Sequence, residues 1–536
     1  MCWGRLAGGT SEGESRDRML KRIAVIAQMA VLAVAFLTSC GGSKPKTTTP
    51  TGSLTTLVGD LPGLCDAVSF PFNIVNISLT GPNGTGTVPI NSGAVNPPLI
   101  KINLGCLRDF TTPLTITPAE VGTYNTAYFT LNETQVFFYD PTILPPNPPI
   151  NTPQLTLTPL KEIEIPINPP LYVYKGVASV IQIDFDMLHM IQSIITNPVT
   201  GNLTVTGTPE ITVTPLTAAG SQGQGFGELY DLVGFVRSVT IPPPGNNALY
   251  DGSFTLQLLP RSITGAPLIT VNLTDSSLLY GFSNLNQLVT DSVMEVDAYI
   301  DVDGNFVATS VEDEFEESIP PLGTNAVLAI IGPVTSVTRD SHGNVTSFNI
   351  WARNEVPDDE RIVASDTIAV VNLSPSTTYQ YSSRSVNFAN LPFAPNNITV
   401  GQEVIVHGLV TQATLASSSG APALPTTVTA YKVYDKLQSI QGSFSSFVQV
   451  ANDDKTGAFV FNPCSTLFQG TPTMVLTSNQ TVFLNLTGLS SLSASGTQPT
   501  LLVQGLPFFE TQAQTINGVL VPAGTFVILA KQVHQL

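Results

Sequence analysis

A repeat of about 100 residues in the second half of the chain is the feature that most constrains its fold. Four short segments recur there three times in the same order. The first set is GFVRSVT, GPVTSVT and GSFSSFV, beginning at Gly234, Gly332 and Gly442, and each of these segments is expected to open a strand. The others are ITVNLTDSSLLY, IAVVNLSPSTTYQY and MVLTSNQTVFLN, then SVMEVDAYI, QEVIVHGLV and PTLLVQGLP, then NFVATSVE, TTVTAYKVY and TFVILAKQV. Matched segments in a fixed order indicate three copies of one folding unit.

Apolar and polar residues alternate along most of the chain. Ile181, Ile183 and Phe185, for example, are separated by Gln182 and Asp184. A period of two is typical of strands with one buried face, so we predict an all-β protein. Each repeat has room for about six strands, enough for a small closed barrel. The best short helix candidate is MLHMIQSI, residues 187–194.

We therefore predict an N-terminal β-sandwich-like domain followed by three related small barrels of OB-like topology. The sandwich-like domain includes a Pro-rich insertion from Asp140 to Pro170. Since proline cannot donate to a central ladder, this insertion is expected to be a surface excursion or an edge strand. The Gly-rich stretch AAGSQGQGFGE is expected to be a linker. The predicted bounds are 55–217 for the first domain, 218–228 for the linker, and 229–314, 325–435 and 436–536 for the barrels.

Charge and composition limit the classes of partner. The chain has 21 Lys and Arg against 39 Asp and Glu, a net charge of −18, with 42 Gly and 42 Pro. A strongly acidic, turn-rich chain is unsuited to nucleic acid, whose affinity comes largely from Lys and Arg that neutralise phosphates. It is equally unsuited to adsorption on anionic lipid headgroups. The ordinary role of such charge is solubility, and we predict no nucleic-acid partner and no cofactor.

The N-terminus has the pattern of an export signal. From Met19 a basic start, Lys21 and Arg22, precedes the apolar stretch Ile23–Leu37, which is too short for a comfortable permanent span. Residues 1–18 are polar, which suggests that Met19 is the true start. Residues 1–39 are thus predicted to be a signal peptide, and residues 40–54 a flexible tether.

The segment LTSCG, which contains Cys40, resembles the lipobox of bacterial lipoproteins. The resemblance implies cleavage before Cys40 and a lipid anchor on its thiol. Gly41 follows in place of the Asp of an inner-membrane retention signal, so the expected location is the outer membrane of the cell envelope. Several acyl chains would give lasting anchorage.

The repeats resemble a family of uncharacterised β-barrel domains of bacterial lipoproteins. The segment VMEVDAYIDVDGNFVATSVE in Asn286–Glu312 fits the family pattern closely, Val400–Val433 moderately and Ser495–Val533 loosely. The first domain resembles another uncharacterised family that often precedes it, through DLPGLCDAVSFPFNIVNISLTGPNGTG, TPAEVGTYNTAYFTL and VIQIDFDM. These resemblances imply architecture and location, and they bring no catalytic residues.

Three cysteines remain after Cys2 and Cys40. In an oxidising compartment a Cys65–Cys106 disulfide would close a loop within the first domain and leave Cys464 unpaired. The alternative is three small buried thiols.

One segment partly resembles a calcium loop: Asp301, Asp303 and Asn305, with Glu312 eleven residues after Asp301. The glycine expected at the sixth position is Phe306 instead. Asp303-Gly304 between two alternating runs is also a hairpin signal, and we favour a plain turn with no metal.

Two further groups of residues are candidates for a catalytic or sugar-binding site. Asp184 and Asp186 fall on one strand face close to His189 and could serve glycoside hydrolysis, although such pairs are more often solvated surface. Seven aromatic residues of the first domain could form a sugar-stacking platform, although alternating aromatic residues are more often core. These are Phe70, Phe72, Tyr124, Tyr128, Phe137, Phe138 and Tyr139.

No nucleophile elbow, phosphate-binding loop or metal-binding histidine motif is present in the sequence. His189, His342, His407 and His534 are scattered. The leading functional hypothesis is a lipid-anchored, non-enzymatic scaffold or interaction module of the envelope. The alternatives are a surface protein that binds carbohydrate or another polymer, and a hydrolase whose catalytic site has no recognisable motif.

Overall fold

Strands make up nearly all the regular structure in a computed structural model of the chain. The structure describes residues 50–60, 65–81, 84–87, 100–104, 111–131, 134–140, 150–151, 154–157, 162–196, 203–217, 225–243, 249–258, 268–313, 326–356, 366–382, 391–412, 425–451, 453–468, 470–493 and 499–536. The predicted signal peptide, Cys40 and most of the tether lie outside these residues. Among the described residues, no helix is long and apolar enough to cross a membrane.

The N-terminal domain contains sixteen described strands around one core. Its two main sheets have the orders β16-β13-β1-β6 and β12-β7-β3-β4, and β5 also pairs with β3. The strands are β1 Thr51–Asp60, β2 Ala67–Ser69, β3 Pro71–Gly81, β4 Gly84–Thr87, β5 Ile100–Asn103, β6 Thr111–Glu120, β7 Gly122–Leu131, β8 Thr134–Gln135, β9 Phe137–Tyr139, β10 Ile150–Asn151, β11 Gln154–Leu157, β12 Ile163–Val173, β13 Ala178–Phe185, β14 Ile191–Thr196, β15 Leu203–Gly207 and β16 Ile211–Leu216.

Both main sheets contribute side chains to a single buried core, as in a sandwich. Leu54 and Phe185 come from one sheet, and Ile77, Phe129 and Leu171 come from the other. Because residues alternate between the two faces of a strand, this shared core uses half of each strand, as the alternation in the sequence predicted.

The Pro-rich segment contributes an edge strand. Strand β12 is the first strand in its sheet order, where it pairs with β7, and it contains the INPP sequence. The register shifts between Pro166 and Leu171, so four residues of β12, 167–170, lie opposite one residue of β7. Prolines are tolerated at such irregular edge positions because they have no N–H to donate to a central ladder.

Three predicted boundaries differ from the structure. The tether was expected to extend to residue 54, but β1 begins at Thr51. The linker was expected to extend to residue 228, but the next strand begins at Gly227. The helix expected over 187–194 is a single turn, Met187–Met190, after which the chain continues as β14. Three β-branched isoleucines at 191, 194 and 195 favour that extended conformation.

Each of the three repeats forms a small closed barrel with additional short strands. The first barrel contains β17 Gly227–Thr240, β18 Gly252–Leu258, β19 Leu268–Leu273, β20 Leu278–Tyr280, β21 Val293–Ile300 and β22 Phe306–Asp313. The second contains β23 Ala326–Arg339, β24 Val345–Ala352, β25 Asn354–Val356, β26 Thr367–Asn372, β27 Thr378–Tyr381, β28 Glu403–Gln412 and β29 Thr426–Asp435. The third contains β30 Gln438–Val450, β31 Gly457–Pro463, β32 Thr473–Thr477, β33 Val482–Leu484, β34 Thr500–Glu510, β35 Gln514–Ile516, β36 Val519–Val521 and β37 Thr525–Gln535.

The barrels share one strand order. In the first barrel, β17, β18 and β19 form an antiparallel meander, and β21 pairs with β17 and β22. Strand β22 then closes the barrel by pairing in parallel with β19. The second barrel closes through β26 and β29, and the third through β32 and β37. This connectivity is OB-like, and the predicted all-β class with repeated small barrels is confirmed.

A recurring turn explains why the second repeated segment is rich in Ser and Thr. After the third barrel strand, the hydroxyl of Ser277, Thr377 or Thr481 donates to a backbone carbonyl of the closing strand, at 2.7, 2.8 and 2.9 Å respectively. The acceptors are the carbonyls of Ala308, Ala430 and Ala530. Each of these hydroxyls also accepts a backbone N–H three residues earlier, so one side chain fixes both the turn and its contact with the barrel.

The glycine of the first repeated segment lies inside the first barrel strand, where we had expected it to open the strand. A Cβ added at Gly234, Gly332 or Gly442 would lie 2.4, 1.8 or 2.3 Å from a carbonyl oxygen of the second strand. The close approach of the two backbones at this point therefore requires glycine.

The four domains pack against one another, and Thr51–Leu536 forms one compact unit. Leu57 and Val180 of the N-terminal domain join the core cluster of the first barrel. Trp351 of the second barrel packs with Val68, Phe137 and Ile150 of the N-terminal domain. The third barrel contacts the first through Lys531 and the second through Pro507.

Candidate functional site

A polar cleft lies where the N-terminal domain meets the second and third barrels. Its cavity volume is about 50 Å³. The N-terminal domain supplies Cys65 and Ala67, and the second barrel supplies Pro333, Arg353, Gly401 and Glu403. The rest of the lining is Lys436, Leu437, Gln438, Ser439, Ile440, Gln441, Cys464, Ser465, Leu467 and Phe468. A volume of about 50 Å³ is room for a few water molecules.

A disulfide joins two walls of the cleft and overturns our expected cysteine pairing. Cys65 is bonded to Cys464, 399 residues away, with the Cα atoms 5.4 Å apart. The predicted Cys65–Cys106 bond is wrong, and Cys464 is not unpaired. Cys106 itself lies outside the described residues. Nearness in sequence was a poor guide because the fold brings the start of the first domain against the last barrel.

Hydrogen bonds reinforce the connection beside the disulfide. The carboxylate of Asp66 accepts from the Thr466 hydroxyl at 2.9 Å, from the Thr466 backbone N–H at 2.5 Å and from the Ser465 hydroxyl at 3.2 Å. We call Cys65, Asp66, Cys464, Ser465 and Thr466 the clamp. It joins the N-terminal domain to the third barrel both covalently and through a carboxylate.

A buried ion pair connects the second barrel to the same junction. The Arg353 Nη1 donates to the Glu403 carboxylate at 2.8 Å, and their side chains are 5% and 13% exposed. The Arg353 Nε also donates to the backbone carbonyl of Val68 in the N-terminal domain. The guanidinium therefore holds a carboxylate of its own barrel and a strand of the neighbouring domain at once.

A second buried carboxyl lies between the second and third barrels. Asp435 is fully buried, and its carboxyl accepts from the Gln402 amide at 2.8 Å. The same amide donates to the Pro507 carbonyl of the third barrel at 2.9 Å. Burial raises the pKa of Asp435 well above its usual range, although the Gln402 hydrogen bond opposes this.

The pKa of Asp435 predicts a pH dependence of stability. Because its folded-state pKa lies above an unfolded-state value of about 3.9, the protonated carboxyl favours the fold fully below about pH 4. That contribution is lost as pH rises through the folded-state pKa. The Asp435→Asn variant, which stays neutral, should therefore gain stability over wild type as pH rises above 4, by at most about 1.4 kcal/mol per pH unit.

Urea unfolding of wild type and Asp435→Asn between pH 4 and pH 8 measures the difference in their free energies of unfolding. The contributions of other carboxylates cancel in this difference. The exposed Asp453 is the control, since hydrogen bonds from Thr456 and Lys455 lower its pKa and its contribution to stability therefore changes only below about pH 4. Asp453→Asn should thus differ from wild type by a constant amount between pH 4 and pH 8. A constant difference between Asp435→Asn and wild type across this range would contradict the assignment.

Three of the four calcium-loop residues, Asp301, Asp303 and Asn305, lie together in one turn, whereas Glu312 lies apart. The Asp301 carboxylate accepts backbone N–H groups of Asp303 and Asn305 at 2.9 and 2.8 Å, as in a hairpin turn. Tyr250 donates to the same carboxylate at 2.7 Å. Burial alone raises the pKa of Asp301, but a hydrogen bond from the Asn305 side-chain amide at 3.0 Å, together with the three above, lowers it below its ordinary value. Glu312 lies at the far end of β22, opposite Glu295, and the segment from Asp301 to Asn305 forms the turn that we favoured.

Asp184 and Asp186 have separate partners. The Asp184 carboxylate accepts from Gln182 at 2.8 Å, and burial raises its pKa. Asp186 caps the helical turn by accepting the His189 N–H at 3.0 Å, and it also contacts the His189 ring at 2.5 Å. The Asp186 hydrogen bond and charge raise the pKa of His189. Asp184 is thus a strand residue, and Asp186 is the cap of the helical turn. This arrangement gives neither carboxylate a role in glycoside hydrolysis.

The remaining histidines lie apart. His342 is in the exposed turn after β23, His407 is in β28, and His534 is in β37. Across the part of the chain that the structure describes, no group of three or more His, Cys, Asp or Glu residues is arranged to hold a metal ion.

The aromatic residues singled out in the first domain are largely core. Phe70, Tyr124, Phe137 and Phe138 are buried, whereas Tyr128 and Tyr139 are half-buried. The structure does not describe the side chain of Phe72. Two exposed tyrosines, Tyr172 in the edge strand β12 and Tyr174 just after it, were not predicted from the sequence. Their side chains are 54% and 59% exposed. Their alternation with buried Leu171 and Val173 was the signal that could have identified them.

Comparison with known proteins does not assign the site. No protein-family model, curated protein or solved structure matches the chain.

Proposed function

We propose that this chain is an extracytoplasmic, lipid-anchored protein of the bacterial envelope, in which four β domains act together as a non-enzymatic scaffold or interaction module. The Cys65–Cys464 disulfide is the observation that carries the proposal. Disulfides form and persist in oxidising compartments and are rare in the cytosol. An exported chain with a lipobox-like Cys40 would encounter such a compartment during folding.

The clamp supports a scaffold function because it fixes domains that are distant in sequence. Each interdomain contact uses groups that are costly to separate: a covalent bond, a buried ion pair, and apolar residues such as Trp351 and Leu57. Relative motion is the usual expectation for domains that share small polar interfaces. A domain set tied by these contacts instead presents its outer surfaces to a partner in a fixed arrangement.

The anchor places that arrangement at a membrane. Lipid on Cys40 and a short polar tether would hold the N-terminal domain near the bilayer, with the outer membrane as the proposed location. The partner of the scaffold would be an envelope protein or a glycan.

Substitution of Cys40 tests this proposal. The Cys40→Ala protein should lose its lipid and move from the membrane fraction to the soluble fraction, with an unchanged unfolding midpoint, because Cys40 precedes Thr51, where the first strand begins. The measurement is incorporation of labelled palmitate together with fractionation of the envelope. Cys464→Ser is the matched control, since it removes a cysteine but should keep both the label and the membrane association. A Cys40→Ala protein that remains membrane-bound and labelled would contradict the proposal.

A further inference from the structure

The first strand of the N-terminal domain begins beside an exposed turn. Strand β1 starts at Thr51, and the backbone carbonyl of Thr51 accepts from the Gly176 N–H at 3.3 Å. Gly52 lies against the same turn, since a Cβ added there would lie 2.3 Å from the Tyr174 carbonyl oxygen. The turn 174–177, which joins β12 to β13, is therefore packed against the first residues of β1. The segment that leads from Cys40 to Thr51 thus arrives next to this turn.

Exposed aromatic and apolar side chains surround this point. Tyr172 and Tyr174 are two residues apart at the end of β12, so alternation places them on one face, and both are exposed. Val177 at the end of the turn is exposed as well, and so is Lys175 between them. We call Tyr172, Tyr174, Lys175 and Val177 the entry patch. Exposed large apolar residues ordinarily stand singly, so their grouping around one turn indicates an interaction surface.

The first barrel extends the entry patch. A Cβ added at Gly304 would lie 2.4 Å from the Ala178 Cβ, so the turn 301–304 of that barrel lies against the residue that follows Val177. Val302 in this turn is exposed. Two domains therefore present apolar side chains beside the point where β1 begins.

The charges near the entry patch have both signs. Lys175 lies within it, Glu120 of β6 pairs with Thr51 of β1, and Asp303 is exposed in the first-barrel turn. Zwitterionic phospholipid headgroups also carry both signs, whereas the net negative charge of these three residues repels an anionic headgroup. The long stem of Lys175 can lie along apolar surface while its ammonium group stays in water.

The proposed lipid on Cys40 brings this surface to a bilayer. Ten residues, 41–50, separate Cys40 from Thr51, and they can span at most about 36 Å. A short connection gives the surface at its end a high effective concentration relative to the bilayer. Tyrosine is enriched at membrane–water interfaces, where its ring lies among the headgroups and its hydroxyl stays hydrated. The position and the chemistry of the entry patch therefore favour the same partner.

We propose that the entry patch is a second membrane contact, which inserts Tyr172 and Tyr174 into the headgroup region of a zwitterionic bilayer. This proposal rests on the proposed lipid anchor at Cys40 and adds a protein surface to it. The contact would fix the orientation of the N-terminal domain, because a single attachment point leaves rotation about it unrestricted. So small a surface cannot hold the protein without the lipid, and release of the Cys40→Ala protein is still expected.

Fluorescence of the Tyr174→Trp variant tests the contact. The full-length lipoprotein, labelled with palmitate, is reconstituted into phosphatidylcholine vesicles with and without lipid brominated high on the acyl chain. Wild type supplies the background, since its Trp351 is buried. The brominated lipid should remove about half of the emission that the new tryptophan adds, and acrylamide in the water should quench that emission only weakly.

Two further variants complete the experiment. Leu520→Trp is the control, because Leu520 is exposed on the hairpin of β35 and β36 in the third barrel. Its emission should be quenched by acrylamide and not by brominated lipid. Adding Val177→Asp to Tyr174→Trp should reduce the quenching by brominated lipid about twofold, since a charge resists insertion. The unfolding midpoint should not change, because Val177 is exposed.

Three results would overturn the proposal. Labelled Tyr174→Trp protein whose added emission is insensitive to brominated lipid has no contact between the entry patch and the bilayer. Equal quenching of Tyr174→Trp and Leu520→Trp by brominated lipid means that the contact is not specific to the patch. A shift in Tyr174→Trp emission on addition of chitotetraose, without quenching by brominated lipid, assigns the patch to a glycan. All three results come from protein that carries the label and leave the Cys40 anchor standing, whereas absence of the label contradicts the anchor and this proposal together.

Discussion

Replacing Arg353 with Met should lower the stability of the protein by about 3–5 kcal/mol, because the change leaves the Glu403 carboxylate without its partner in a largely buried position. The Val68 carbonyl of the N-terminal domain loses a donor at the same time. The damage should therefore be concentrated at the junction of that domain with the second barrel. Urea unfolding at pH 7 is the measurement.

The double variant Arg353→Met/Glu403→Gln separates the charge from the packing. It removes the unpaired carboxylate and should recover part of the lost stability, since an amide is less costly to bury than a charge. Arg237→Met is the matched control: its partner is Asp291, and both side chains are well exposed. Exposed pairs contribute about 0–1 kcal/mol. If Arg353→Met were no more destabilising than Arg237→Met, the junction would not depend on the buried pair.

Loss of the disulfide should produce the second large effect. The Cys464→Ser variant opens a covalent loop that spans 399 residues of sequence separation. A crosslink over so long a loop restricts the unfolded chain strongly, and its removal is expected to cost about 4 kcal/mol. We expect a lower unfolding midpoint and faster proteolysis of the N-terminal domain, because that domain loses its covalent tie to the third barrel.

Reduction supplies the control for this variant. A dithiol reductant should lower the midpoint of wild type towards that of Cys464→Ser and leave the variant unchanged. Cys106→Ala should remain sensitive to the reductant, since it keeps the Cys65–Cys464 bond. A Cys464→Ser protein that responds to reductant as wild type does would show that the stabilising disulfide lies elsewhere.

The features that follow from local patterns were predictable from the sequence. Alternation such as Ile181-Gln182-Ile183 fixes which strand face is buried, and the repeated segments fix three related barrels. The turn hydroxyls, such as that of Thr377, occupy one position in each repeat because the same carbonyl must be reached each time. The glycine of the first repeated segment likewise reflects one backbone contact that all three barrels share.

The junction was not predictable, because nothing in the local pattern of Cys65 points to a partner 399 residues away. Arg353 appears in the sequence as an ordinary charged residue at the end of a strand, and only the packing of two domains buries it. The same holds for Gln402, a buried amide whose hydrogen bond to Pro507 of the third barrel has no signal in the local sequence. Calcium was weighed at Asp301 for the reverse reason, since a short motif was matched without knowledge of the register that places Glu312 at the other end of the strand.

The proposal that the chain is exported rests on the disulfide between its first domain and its last barrel. Peptide mapping by mass spectrometry, on protein isolated from the membrane fraction with free thiols blocked beforehand, tests this claim most directly. The account predicts one crosslinked peptide that joins Cys65 to Cys464 and disappears on reduction. Recovery of Cys65 joined to Cys106, or of Cys65 and Cys464 both as blocked free thiols, would contradict it.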